Sequence, residues 1–411
     1  MTLLYPLRLQ IGSRFGWRPH AGGRLCISTH VRSSLPFPPE KAKYHRELEA
    51  AVDAVERACR LCVDVKKTLV SGEGRFLEKK DQTPVTVADF GVQALISLEL
   101  SKSFPSIPMV AEEDSSFLRS SSSGSQEDGD SDGLVGAVLR AVSGKASCDE
   151  QPLTSDIVLA AIDRGGKHAF SLDEKPATYW VLDPIDGTRG FLKGNDALYV
   201  VGLALVVEGD VALGSWAAQT GKIISSSGRG MIMVAHVGCG TWSREFLASS
   251  GIIAGVLEGW KKCSVDPCSL INQASFCIPE SQTWRSLLLS TSSYGLSDDA
   301  GGAGSEHEVT LLKVCCGSLC KYLMVASGRA SVFVLRARVR TRIKAWDHVA
   351  GVVCIHEAGG KVTDWKGHHL DLAIDPSERR IISPSGGILV TNGHLHQQLL
   401  SLISPSASSP V

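Results

Sequence analysis

Asp89, Glu112, Asp183, Asp186 and Asp347 are the side chains of this sequence whose types and settings could do chemistry together. Each follows a short, largely apolar run, as in Thr86-Val87-Ala88-Asp89, Ala111-Glu112-Glu113-Asp114, Val181-Leu182-Asp183 and Trp346-Asp347. Carboxylates without accompanying His or Cys are hard oxygen donors. Such donors suit Mg²⁺, which takes near-octahedral oxygen coordination and keeps several waters, and they suit zinc poorly. In Asp183-Pro184-Ile185-Asp186-Gly187-Thr188, Pro184 fixes one backbone angle and Gly187 permits a sharp turn. Both carboxylates and the intervening Ile185 carbonyl can then point into one small volume. Two cations held about 4 Å apart can clamp the attacking and leaving oxygens of an in-line phosphoryl displacement. Taken singly, each segment also reads as a solvated turn, a helix cap or a charged surface. Their combination, each after an apolar run, points to a shared site.

The elements that must position these residues follow from periodicity. Leu48, Ala51, Val52, Val55, Ala58, Cys59, Cys62 and Val63 recur at helical spacing and predict a surface helix beginning near Lys41. A loop with Asp81 and Pro84 precedes a second helix over 88–104, stopped by Pro105. Apolar strands are expected at 108–111 and 179–182, each delivering acids at its end, where open α/β sheets place their sites. Strands 197–207 and 211–216 follow around a Glu208-Gly209-Asp210 turn, with further short apolar runs over 226–240. Residues 119–150 read as an exposed Ser-rich, acidic insertion with a short helix near 134–142. Beyond 280 the pattern alternates: a strand at 287–290, a Gly-rich linker at 301–304, a helix over 310–327, a strand at 331–335 and a helix over 348–358.

Composition narrows the class. With 411 residues the chain can bury a large core divided between two domains. A formal net charge of −1 excludes the basic field that polymeric nucleic acid requires. No apolar run reaches the roughly 20 residues needed to cross a bilayer, so a soluble protein is expected. Twelve scattered cysteines, with Cys315 and Cys316 adjacent, fit a reduced protein better than a disulfide framework. Cys59 and Cys62 form a lone CxxC read as core packing. The first forty residues carry Arg8, Arg14, Arg18, Arg24 and Arg32 with no acid before Glu40, the pattern of an organellar transit peptide that leans mitochondrial, with plastid as the alternative. The organisation expected is a leader over 1–40, an α+β metal-binding domain over 41–280 and an α/β domain over 281–411.

These motifs resemble the superfamily of inositol monophosphatases, fructose bisphosphatases and 3′(2′),5′-bisphosphate nucleotidases. The likeness runs through Thr83-Pro84-Val85-Thr86-Val87-Ala88-Asp89, Ala111-Glu112-Glu113-Asp114, Trp180–Thr188 and Trp346-Asp347-His348-Val349-Ala350-Gly351. Thr188-Arg189-Gly190-Phe191 and Ser318-Leu319-Cys320-Lys321-Tyr322 are similar to the nucleotidase branch, above all to its plant organellar members. The resemblance implies an α/β, layered αβαβα sandwich and a lithium-sensitive phosphatase that removes the 3′-phosphate of adenosine 3′,5′-bisphosphate, with the 5′-phosphosulfate analogue as a possible second substrate. It implies two to three Mg²⁺ ions per site: one held by Glu112, Asp183 and the Ile185 carbonyl, another by Asp183, Asp186 and Asp347, and a looser third touching Glu112. Thr188 and Asp89 would orient and deprotonate the attacking water. Gly187, Thr188, Ser318, Lys321, Arg336 and Asp347 would meet the substrate, with Arg338, Arg340 and Arg342 extending a basic wall and His307 a weak candidate beside the base. A monomer acting on a small molecule, away from membranes and polymeric nucleic acid, is implied. Two other readings stand beside this one: an inositol phosphate 1-phosphatase of the same fold, and a non-catalytic nucleotide-binding or redox-sensing protein. The residues after Thr188 argue against the first, and the full set of acids against the second.

Overall fold

The computed structural model describes residues 35–70, 76–78, 84–122, 133–147, 152–166, 178–193, 197–219, 230–246, 259–279, 309–337, 342–372 and 379–403. All of them lie within one compact unit, Arg32–Val411. His307, Arg338, Arg340 and the 301–304 linker lie outside the described residues, as does the leader as far as residue 34.

Among the described residues, a seven-stranded sheet opens with Met109–Ala111 parallel to Thr178–Asp186. It continues as an antiparallel meander through Tyr199–Val207, Asp210–Gln219, Gly230–His236, Gly240–Phe246 and Lys261–Lys262. Glu208 and Gly209 both take positive φ (53° and 90°), the two-residue turn whose twist matches that of the flanking strands. A second sheet of five strands runs Thr310–Lys313, Ser275–Ile278, Val332–Arg336, Gly387–Thr391, Lys361–Asp364. It opens at Ser275, ahead of residue 281.

Side-chain alternation explains the layering. Trp180 and Leu182 face a core shared with the helices His45–Val70 and Val87–Ser103. Tyr179 and Val181 face the opposite way, toward the helices Ser318–Ala326 and Val349–Glu357. Those helices also cover Phe333, Ile388 and Val390 of the second sheet. Its far side, with Phe276, Val332 and Leu389, is closed by Leu395, Leu399 and Ile403 around the helix His396–Ile403. The order helix, sheet, helix, sheet, helix is the expected αβαβα sandwich.

Three local expectations are revised. The stretch 310–327 is not one helix: Thr310–Lys313 is a strand parallel to Ser275–Ile278, and the helix starts only at Ser318. Cys316 interrupts it with φ of 76°, a conformation no helix interior accommodates. In the 119–150 segment, Leu134–Ser143 is a helix whose Val138 and Val142 are buried in the first core, so this part packs rather than projects. At the leader boundary, Phe37 and Ala42 are buried in that core, and the Tyr44 backbone N–H donates to His236 Nε2 at 3.1 Å. The packed body therefore includes residues ahead of 41.

Candidate active site

The strand Thr178–Asp186 would normally send Asp183 and Asp186 to opposite faces, because their separation is odd. Its register against the next strand shifts between them: Asp183 pairs with Gly202 and Asp186 with Val200, so an extra residue bulges out around Pro184-Ile185. Pro184 lacks an N–H to give the ladder and is at home in a bulge. The bulge puts both carboxylates on one side. Oxygens of Asp183, Asp186 and Asp347 lie within 4.8 Å of one another. Asp347 arrives from the turn before the helix Val349–Glu357, and Glu112 from the end of Met109–Ala111. Glu112 stands outside the tight group, yet its charge acts on both Asp183 and Asp347.

Electrostatics follow from crowding. Burial, then the charges of Asp186, Glu112, Asp347 and Asp89, push the Asp183 carboxyl well above the carboxylate range. Asp347 is driven the same way, by desolvation of its carboxyl and then by Asp186 and Glu112, while a hydrogen bond with Asp183 and the charge of Lys344 oppose the shift. Asp186 is raised by burial to about 6, held down by Lys321 and by backbone N–H groups of Cys320, Ser318 and Leu319. Ser318 N donates to its Oδ1 at 2.9 Å and Cys320 N to its Oδ2 at 3.3 Å.

Asp183 Oδ1 is buried with no hydrogen-bond partner among protein atoms. A desolvated carboxylate oxygen left unpaired is costly. Oxygen donors only, mutual repulsion and one orphaned oxygen are together what a hard cation relieves, and the residues therefore fit a metal.

Beside this cluster stands the pair Thr188 and Asp89. Gly187, at φ of 87°, turns the chain into the short helix Thr188–Leu192. The Thr188 hydroxyl lies 3.2 Å from both Asp89 Oδ1 and the Ile185 carbonyl, and can donate to either. Asp89 is 1% exposed at the third position of the helix Val87–Ser103. Its Oδ2 accepts from the backbone N–H and the hydroxyl of Thr86, both at 2.7 Å. This capping box fixes one carboxylate oxygen and leaves the other to Thr188.

The expected substrate residues are placed less uniformly. Ser318 opens its helix beside Asp186. Lys321 is 2% exposed, and its ammonium donates to the carbonyls of Cys316 (2.8 Å) and Gly317 (2.6 Å). It closes the turn behind Asp186 instead of extending into open space. Arg336 and Arg342 are exposed. Cys315 and Cys316 are joined by a disulfide, whereas Cys59 and Cys62 are free and buried, their thiols pushed up by burial.

Sequence reasoning missed two residues. Gln93, one turn after Asp89, donates to the Glu113 carbonyl at 2.7 Å and accepts from the Glu113 N–H at 2.9 Å, pinning the segment that carries Glu112. A polar residue inside an apolar helix face was the available signal. Arg380 touches the Glu112 backbone from the other side, and nothing in Ser377-Glu378-Arg379-Arg380 announces it.

The αβαβα fold is that of the sugar phosphatases, and it carries a buried carboxylate cluster that could hold a metal beside the Thr188–Asp89 pair. Residues 43–407 match the inositol monophosphatase family, and the chain belongs to that family. It is 56% identical over 380 residues to an Arabidopsis thaliana protein provisionally named 3′(2′),5′-bisphosphate nucleotidase, mitochondrial, covering 92% of this chain and 91% of that one. It is 33% identical over 375 residues to a 3′(2′),5′-bisphosphate nucleotidase of Oryza sativa, covering 88% and 94%. The fold is also that of an IMPase from Thermotoga maritima, at 18% identity and a TM-score of 0.51 over 88% of this chain and 97% of that chain.

Proposed function

We propose that this chain is a Mg²⁺-dependent phosphatase that hydrolyses the 3′-phosphate of adenosine 3′,5′-bisphosphate to AMP and phosphate. The observation that carries the reading is the convergence of Asp183, Asp186 and Asp347 within 4.8 Å, beside a Thr188 hydroxyl already hydrogen-bonded to Asp89. The choice of substrate is supported by Thr188-Arg189-Gly190-Phe191 and by the names of the curated relatives.

Glu112, Asp183, the Ile185 carbonyl, Asp186 and Asp347 would hold two to three Mg²⁺ ions. When bound, the metal supplies charge neutralisation for the phosphoryl group and acidifies water. The chain's own residues supply the rest. Thr188 Oγ1 takes a proton from the attacking water as its own proton moves to Asp89 Oδ1, 3.2 Å away. The Thr86 donors on its other oxygen and the N-terminus of its helix keep Asp89 ionised and aimed at Thr188, the state in which it can accept a proton. Lys321 and the N–H groups of Ser318 and Cys320 hold Asp186 in orientation. Gly187, Thr188, Ser318, Asp347 and Arg336 line the substrate side of the proposal, and Lys321 serves from behind Asp186. The Arg-rich leader and the name of the Arabidopsis relative support an organellar, mitochondrial location.

Phosphate release with Mg²⁺ from adenosine 3′,5′-bisphosphate, its 5′-phosphosulfate analogue, inositol 1,4-bisphosphate and inositol monophosphate tests the reading. A kcat/KM at least about tenfold higher for the adenosine bisphosphate than for either inositol phosphate is expected. Preference for an inositol phosphate would overturn it.

A further inference from the structure

Glu112 and Asp347 come from distant parts of the chain, and one buried residue, Arg380, touches the segments that carry both. Arg380 is 5% exposed. Its Nη2 donates to the Glu112 carbonyl at 3.2 Å and its Nη1 to the Gly165 carbonyl at 3.2 Å. That same Gly165 carbonyl accepts from the N–H of Ala111 at 2.8 Å, the last residue of the strand that delivers Glu112. The guanidinium carbon lies 4.7 Å from the centre of the Trp346 ring, next in sequence to Asp347. The Arg380 carbonyl accepts from the Ala345 N–H at 2.9 Å, and the pairs Ile343–Ile382 and Lys344–Ile381 extend that contact as a short antiparallel ladder.

We propose that Arg380 is a positioning residue that sets the spacing of Glu112 against Asp347 and so tunes the affinity of the site for its cation. The inference rests on the reading of these carboxylates as metal ligands. A planar guanidinium can engage two carbonyls at fixed separation while its face lies on an indole; a lysine ammonium in its place cannot do all three. Outer partners of this kind alter metal affinity or activity by about 10–100-fold when removed. The role is one of geometry, because Lys344 Nζ, 5.3 Å from the Trp346 ring centre, leaves a cation beside the turn when Arg380 is replaced.

The test is calorimetric titration of the metal-free full chain with Mg²⁺ alone, for the unsubstituted protein, Arg380→Met and Arg380→Lys, with a thermal melt of each. Arg380→Met is expected to bind Mg²⁺ about tenfold more weakly or worse, and Arg380→Lys about three- to tenfold more weakly. Activity assays should then show a raised half-saturating Mg²⁺ concentration with kcat largely recovered at saturation. An affinity within about twofold of the unsubstituted protein in Arg380→Met, or in Arg380→Lys if the former does not fold, overturns the role of Arg380. No Mg²⁺ binding by the unsubstituted chain overturns the metal-site reading itself, and this inference with it.

Discussion

Asp186 and Ser318 are joined by a 2.9 Å hydrogen bond from the Ser318 backbone N–H to Asp186 Oδ1, so one acid of the carboxylate cluster also caps the helix Ser318–Ala326. The second oxygen accepts from Cys320 N at 3.3 Å. A helix N-terminus stabilises negative charge. This contact, with the Lys321 charge, is what holds the pKa of Asp186 near 6 while Asp183 rises well above the carboxylate range.

Gly317 lies against that carboxylate. A Cβ there would come 1.9 Å from Asp186 Oδ2, which excludes every other residue without movement of the cluster. Gly317→Ala is expected to cost about 1–3 kcal/mol of stability and to lower Mg²⁺ affinity together with activity. Thermal melts with and without Mg²⁺ check this. An alanine variant as stable and as active as the parent would show that the turn yields freely.

Asp186→Ala removes a proposed ligand and a helix cap at once. The cap is worth about 0.5–2 kcal/mol, so the protein should still fold. Activity should fall by more than about 100-fold, beyond the usual loss for an outer partner. Steady-state kinetics decide, and retention of above about a tenth of the parent activity contradicts the role assigned.

Thr188→Val keeps the shape of the side chain and removes the hydroxyl that meets Asp89 and Ile185. A drop of about 10²–10⁴ in kcat is expected, with Thr188→Ser restoring most of it. Equal losses in the two variants would mean that the methyl group matters and the proton relay does not.

The raised pKa values make metal binding proton-linked. The folded, metal-free protein holds a proton on Asp186 up to about pH 6, against the ordinary aspartate value of 3.8. The stability contributed by this group is therefore fully present below the unfolded pKa and is lost as pH rises through about 6. Asp183 and Asp347 extend the same trend to higher pH. Mg²⁺ must displace these protons, so its affinity should weaken on acidification, by up to about tenfold per pH unit for each proton displaced. Calorimetric titrations across the range check this, and an affinity indifferent to pH contradicts it.

Much of the site was legible because metal ligation depends on residue type at element ends, and the sequence displays both. Asp183-Pro184-Ile185-Asp186 announced a shared volume, though the bulge that achieves it is a property of strand pairing with Val200 and Gly202. Lys321 stands on the helix expected for it, and what the sequence did not show is that its ammonium donates to the carbonyls of Cys316 and Gly317, a contact made by the turn preceding the helix. That turn was hidden because Leu311, Leu312 and Val314 fit a helical period as well as a strand. Arg380 had no local signature, since its partners at Glu112, Gly165 and Trp346 are distant in sequence and meet only in the fold.

The most direct measurement is the melting temperature of Asp183→Asn against the parent at about pH 8, each with and without Mg²⁺. Asp183 is buried, repelled by four acids and carries an unpartnered oxygen, so amidation should raise the melting temperature of the metal-free protein while abolishing its stabilisation by Mg²⁺. A variant that melts lower than the parent and still responds to Mg²⁺ would contradict the account.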